Sequence, residues 1–273
     1  LQGRGGDEVA ERSVIEWLET LQAACSAAGV TLSQARPDVD DAEGWVALLG
    51  ESGDEGAEAR DALDLIERKA RDANDWDAVI EVLLGRIEHA GDGPDRAQLL
   101  RQLGEVYETG LGDLPRAFEA VTTACQVDPE DDASAQMAER LAAATGGWAD
   151  LVQEASAIAT DVTNPKIASL WWARLGGWYA MRLDRVDYAL PSLRRALELD
   201  PANGTAYKAL ADAYRKQQKW SDLADTLRSH AEIEQNTQQK VDLLLGLGDL
   251  LESQLAASAK AVEVYQQAAD LDD

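Results

Sequence analysis

The chain has 273 residues, 45% of them hydrophobic, which suits a folded chain of one or two domains and excludes a disordered one. Acidic residues outnumber basic ones by 51 to 25, a formal charge of −26, so nucleic-acid phosphate and anionic lipid are repelled. A surface of that sign steers basic partners instead.

No run of about 18 apolar residues exists, so no segment is expected to span a membrane. The chain begins at Leu1, not at Met, and "LQGRGG" reads as linker or added residues; a signal peptide removed earlier would leave no trace. Cys25 and Cys125 are too few and too isolated for a disulfide framework. They are expected to be buried thiols in a reducing compartment, which predicts a cytoplasmic location.

In chain order, "DEVAERSVIEWLETLQAACSAAG" predicts an amphipathic helix with Val14, Ile15, Leu18 and Leu21 on one stripe. "VTLSQARPDVDDAEG" reads as a loop and "WVALLG" as at most two helical turns. From Pro37 through Ala59 there is no Lys or Arg. Residues 1–56 are therefore expected to form a helical cap and a mobile acidic loop, and residues 57–273 a separate domain.

That domain is periodic. Trp76, Trp148 and Trp220 stand 72 residues apart, and Leu103-Gly104, Leu175-Gly176 and Leu247-Gly248 keep the same spacing, as do Asp128-Pro129 and Asp200-Pro201. Such periodicity predicts a solenoid in which each unit buries its apolar face against its neighbours. The central unit reads as four helices: "DASAQMAERLAAAT", "WADLVQEASAIA", "IASLWWARLGGWYAM" and "VDYALPSLRRALEL", with breaks at "GG", "DVTNP", Leu183-Asp184 and "DPAN". No sustained alternation occurs, so essentially no sheet is expected. Pro191 falls inside a helix, where it would tune curvature.

The chain here resembles the tetratricopeptide repeat (TPR) family, whose motif is about 34 residues long and reads W-x₂-L-G-x₂-Y, then A-x₃-F-x₂-A and P. Trp172, Leu175, Gly176 and Tyr179, followed by Ala189, Leu193, Ala196 and Pro201, carry the resemblance. So do Leu100, Leu103, Gly104, Tyr107, Ala117, Val121, Ala124 and Pro129, then Leu244, Leu247, Gly248, Leu251, Ala261, Tyr265 and Ala268. A more diverged copy is Leu210, Ala211 and Tyr214 with Trp220, Leu223 and Leu227. The resemblance implies an all-α, right-handed solenoid of antiparallel helix hairpins, about six motifs in three 72-residue pairs. Within it, Trp76, Trp148 and Trp220 would each plug the same hole between helices as core residues.

Little in the sequence points to catalysis. His89 and His230 are the only histidines and lie in distant repeats, which argues against zinc or a histidine-based triad. No Gly-rich loop follows a strand, so phosphate-cradling motifs fail, and no cofactor or metal is expected. The chain reads as a non-catalytic scaffold or adaptor. A regulatory or targeting segment of a larger enzyme and a self-assembling structural array are the other readings.

The resemblance also implies that partners bind the concave surface lined by the first helix of each motif. The positions that face that groove include Arg101 and Glu105 in one motif and Lys208 and Asp212 in another; Asp212 beside Lys208 would repel the C-terminal carboxylate held by chaperone-binding members. In "KIASLWWARLGGWYAM" they are Leu170, Ala173, Gly177, Ala180 and Met181, all apolar or without a side chain. This patch is expected to be the main docking site, for a protein or peptide with basic flanks. At the other end, "ADLDD" stops where a capping helix would begin. The chain is expected to be a fragment, or to self-associate there through an apolar face that includes Leu244, Leu251, Val262 and Tyr265.

Overall fold

A computed structural model describes residues 37–38, 41–50 and 54–272. The chain divides into two compact units, Leu1–Lys69 and Ala70–Asp273, so the boundary expected after residue 56 falls inside the first. The expected N-terminal helix with Val14, Ile15, Leu18 and Leu21, and Cys25, lie outside the described residues.

In the first unit, α1 (Ala42–Ala47) starts at Asp41, whose carboxylate accepts from the Gly44 backbone N–H. Trp45 is buried, and its indole N–H donates to the Asp38 carbonyl over 3.0 Å. The acidic stretch thus carries a short helix and not only loop. Helix α2 (Asp54–Ala73) follows.

The second unit holds α3 (Trp76–His89), α4 (Pro94–Glu105), α5 (Leu114–Val127), α6 (Asp132–Thr145) and α7 (Trp148–Asp161). It continues with α8 (Pro165–Met181), α9 (Val186–Leu199), α10 (Gly204–Lys216), α11 (Trp220–Ile233), α12 (Thr237–Ser253) and α13 (Ser258–Asp272). No strand occurs among the described residues. Neighbours in sequence pack as neighbours in space, giving the all-α solenoid of antiparallel hairpins α4–α5, α6–α7, α8–α9, α10–α11 and α12–α13.

Short polar side chains start most of these helices. Asp75, Asp113, Asp131, Asn164, Asn203 and Asn236 each accept from a backbone N–H in the first turn of α3, α5, α6, α8, α10 and α12. Part of the acidic composition is therefore helix capping. Two kinds of turn alternate between the helices. Within the hairpins, left-handed residues occur at Gly112, Gly146, Asp184, Gln218 and Ala256, with Asn74 before α3. Between hairpins, α5, α7, α9 and α11 end on extended residues, Asp128, Val162, Asp200 and Glu234. A left-handed residue folds one helix back on the last, whereas an extended one steps the chain to the next hairpin.

After α4 the helix widens into a π-helical segment, Val106–Leu111, closed by a 2.8 Å bond from the Asp113 N–H to the Tyr107 carbonyl. Its Gly110 lies on the Trp76 ring, so close that a Cβ would stand 2.6 Å from Cδ2. This bears on the three in-phase tryptophans. Trp148 and Trp220 open the second helix of their hairpins and Trp76 opens α3, but all three are only half-buried and pack at the margins of the cores, not inside them. A side chain on the first residue of a helix has no preceding turn to cover it. The cores are filled instead by leucine, valine and alanine, such as Leu103, Val121, Leu141, Leu175, Leu193 and Leu247.

Among the described residues, ion pairs cross from one hairpin to the next between Arg101 and Asp131, Arg140 and Glu108, Arg174 and Asp132, and Lys216 and Asp184. No described ion pair crosses between the α10–α11 and α12–α13 hairpins.

A candidate protein-binding groove

The expected docking patch on α8 is divided by its surroundings. Ala173 and Ala180 are 1% and 0% exposed, so they offer nothing to a partner, and here the expectation is corrected. Helix α10 packs along α8, with Ala173 against Ala206 and a Cβ on Gly177 reaching 3.9 Å from that of Ala209. The small residues serve this close approach of two helices. Leu170 and Met181 remain on the surface, 46% and 56% exposed.

The polar residues expected in the groove are scattered. Arg101 is engaged by Asp131, and Glu105 is exposed. Asp212 pairs with Arg215 at 2.6 Å on the same helix. Lys208 is exposed, makes none of the described ion pairs, and lines a cavity of about 700 Å³ between α10, α11 and α12.

That cavity opens between α10 and α12, the first helices of two successive hairpins. Trp220, Leu223, Leu227, Leu243 and Leu250 give it an apolar lining, while Lys208 and Arg215 stand on α10 and Asp242 and Asp249 on α12. Asp249 accepts from the Tyr265 hydroxyl at 2.6 Å, and Asp242 from Gln238 at 3.2 Å. Gly246 faces open space, with nothing within 4 Å of where a Cβ would be. A second cavity of about 700 Å³ lies on the other side of α12, over Leu244, Leu247 and Leu251. Leu244 and Leu251 are 5% and 3% exposed there, so of the face expected to be bare, Val262 at 54% is the part that is.

His230 also lines the first cavity. It is 2% exposed, stacked on Tyr207 with ring centroids 5.2 Å apart, and its Nε2 has no hydrogen-bond partner. The Glu234 carboxylate stands 3.9 Å away. Burial pushes its pKa down, which outweighs the pull of Glu234 upward and adds to the push of Lys208 downward. The folded state thus prefers the neutral ring, and on acidification the unfolded chain takes up the proton first. Stability should be full above about pH 6.5 and decline as pH falls below it, until the folded ring titrates as well. His230→Ile should flatten that part of the profile; urea midpoints that fall equally from pH 7.5 to 5 in both proteins would assign the loss elsewhere.

Cys125 is buried, and that burial raises its thiol to about 12, so it is inert at neutral pH. Among the described residues no group of His, Cys, Asp and Glu is placed to hold a metal ion, and no helix is long and apolar enough to cross a membrane.

In the sequence Lys208 reads as a groove residue, Trp220 as core and His230 as one of two isolated histidines, while Leu243, Gly246 and Leu250 carry no polar group to mark them. A signal for them existed in the residues 72 positions earlier, where Trp171, Arg174 and Trp178 stand opposite Leu243, Gly246 and Leu250.

Residues 206–241, which form most of α10, all of α11 and the start of α12, match the tetratricopeptide repeat family. No curated protein sequence matches the chain. Among solved structures, that of the MamA protein is similar at 17% identity and a TM-score of 0.46, covering 64% of this chain and 91% of that one. YrrB, described as a TPR protein with an unusual peptide-binding site, shows 16% identity and a TM-score of 0.43 over 70% of this chain and 93% of its own. A thermophilic TPR protein of Thermus thermophilus shows 19% identity and a TM-score of 0.35 over 64% of this chain and 94% of its own. The family match places a tetratricopeptide repeat at residues 206–241, within a succession of helix hairpins in which a first-helix glycine lies against a second-helix side chain three times, Gly104 on Val121, Gly176 on Leu193 and Gly248 on Tyr265.

Proposed function

We propose that the chain is a non-catalytic protein–protein interaction scaffold that holds a peptide or helix in the groove between α10 and α12. The observation that supports this is the groove itself. It has a volume of about 700 Å³, apolar side chains along its length and charged residues of opposite sign on its two walls. Such a lining fixes the direction of a bound segment, because its charges must match both walls. Pockets with an apolar floor and few polar groups are where binding is expected.

Photo-crosslinkers placed singly at Lys208 and Asp249 would test the reading, with Asp225 on the outer face of α11 as reference. A partner should be captured from the first two positions and not from the third. Equal capture from all of them would overturn the groove as the binding surface.

A further inference from the structure

The joint between the hairpins α6–α7 and α8–α9 is built on the same plan as the joint between α10–α11 and α12–α13, with helices starting 72 residues apart in each. Their contents differ. In the earlier joint Trp171 and Trp178 are 1% and 6% exposed and fill the space. The Trp171 indole N–H donates to the Pro129 carbonyl at 2.9 Å, and the Trp178 ring lies 6.3 Å from that of Trp148. Arg174 lies over the Trp171 ring and pairs with Asp132 on α6, and Arg182 lies over Trp148.

In the later joint all of these side chains except Trp148 are replaced by smaller or uncharged ones. Leu243 and Leu250 stand where Trp171 and Trp178 would be, Gly246 where Arg174 would be, Gly204 where Asp132 would be, and Gln254 where Arg182 would be. Trp220 remains in place of Trp148, now lining an open cavity. Two positions beneath it become polar, with His230 for Ile158 and Glu234 for Val162. The missing groups are aromatic rings and guanidinium groups. The walls left behind carry Asp242, one helical turn before Gly246, and Asp249, neither in a described ion pair.

Resting on the reading of this groove as a protein-binding site, we propose that it takes a partner helix bearing an aromatic and a basic side chain one turn apart. The two would replace what Trp178 and Arg174 supply in the filled joint. The ring enters between Leu250, Trp220, Leu223 and Leu227. The basic group lies over Gly246 and pairs with Asp242, one turn away on the same helix. The net charge of the chain favours a basic segment.

The probe is a short alanine-based helix carrying Arg and Trp one turn apart, titrated into the full chain while backbone amide NMR shifts are followed. Shifts should centre on Gly246, Leu250 and Trp220. Replacing the probe's Trp by Ala, or its Arg by Glu, should weaken binding about tenfold or more. Gly246→Arg places its own guanidinium over the vacant position, in open space where folding is undisturbed, and should abolish binding. Leu250→Trp should do the same by filling the ring's place. Probe variants that bind alike, or Gly246→Arg protein that binds as well as the parent, would overturn the assignment. A protein whose crosslinked partner stays in the groove while the Arg-Trp probe shows no preference would overturn this partner chemistry and leave the binding surface standing.

Discussion

Gly176→Val should lower the unfolding free energy by ~3 kcal/mol, while Gly177→Ala, one residue on, should change it little or raise it. A Cβ at position 176 would stand 2.5 Å from Leu193 Cγ, 2.8 Å from its Cδ2 and 3.1 Å from the Ala189 carbonyl oxygen. Leu193 is fully buried, so it cannot swing away, and helix α9 would have to move off α8. At position 177 the nearest atom is the Ala209 Cβ, at an ordinary 3.9 Å. There the gain in helix propensity from alanine meets no opposing clash. Urea unfolding of the two variants separates the effects, because both begin from glycine in the middle of one helix. Comparable losses would mean that close packing of α8 on α9 is not what position 176 secures.

Asn203→Ala should cost about 3 kcal/mol, from a lost cap and a buried polar network left incomplete. The Asn203 side chain is 5% exposed and joins three helices. Its carbonyl oxygen accepts from the Ala206 N–H at 3.0 Å, which caps α10. Its amide donates to the Ser169 hydroxyl of α8 at 2.7 Å, and that hydroxyl donates to the Ala196 carbonyl of α9, also at 2.7 Å. Asn203→Asp retains the cap and removes the donor, so its loss should be the part owed to Ser169. A double-mutant cycle with Ser169→Ala should show non-additive losses. Strict additivity would show that the two side chains stabilise their helices independently.

Much of this architecture was legible in the residues. The recurring Leu-Gly pairs predicted where two helices must come close, and Gly104, Gly176 and Gly248 each meet the second helix of their hairpin at Val121, Leu193 and Tyr265. The capping residues marked most helix starts. The groove was less legible for a physical reason. Exposure of a first-helix residue depends on how far away the next hairpin lies, and that distance is set by side chains on both of them. Ala173 and Ala180 looked like open surface because they are small, yet smallness lets α10 approach and cover them. Leu243 packs against the core and Leu250 is part of it, as leucines should, yet they are too small to close the joint that tryptophans close one unit earlier. The tryptophans at helix starts misled in the same way, since their regular spacing suggested deep burial and the structure leaves them half-exposed.

The ion pairs between hairpins give ionic strength an uneven hold on the solenoid. With 51 acidic residues against 25 basic ones, most carboxylates repel one another, and added salt relieves that repulsion along the whole chain. The same salt weakens the exposed contacts of Arg140 with Glu108 and of Lys216 with Asp184, and Arg174 with Asp132 less, because the Arg174 side chain is only 20% exposed. The joint between α10–α11 and α12–α13 has no such contact to lose among the described residues. Rising salt therefore works in one direction there and in two at the other joints, and a solenoid assembled from repeats of one plan does not respond to its medium as a uniform rod.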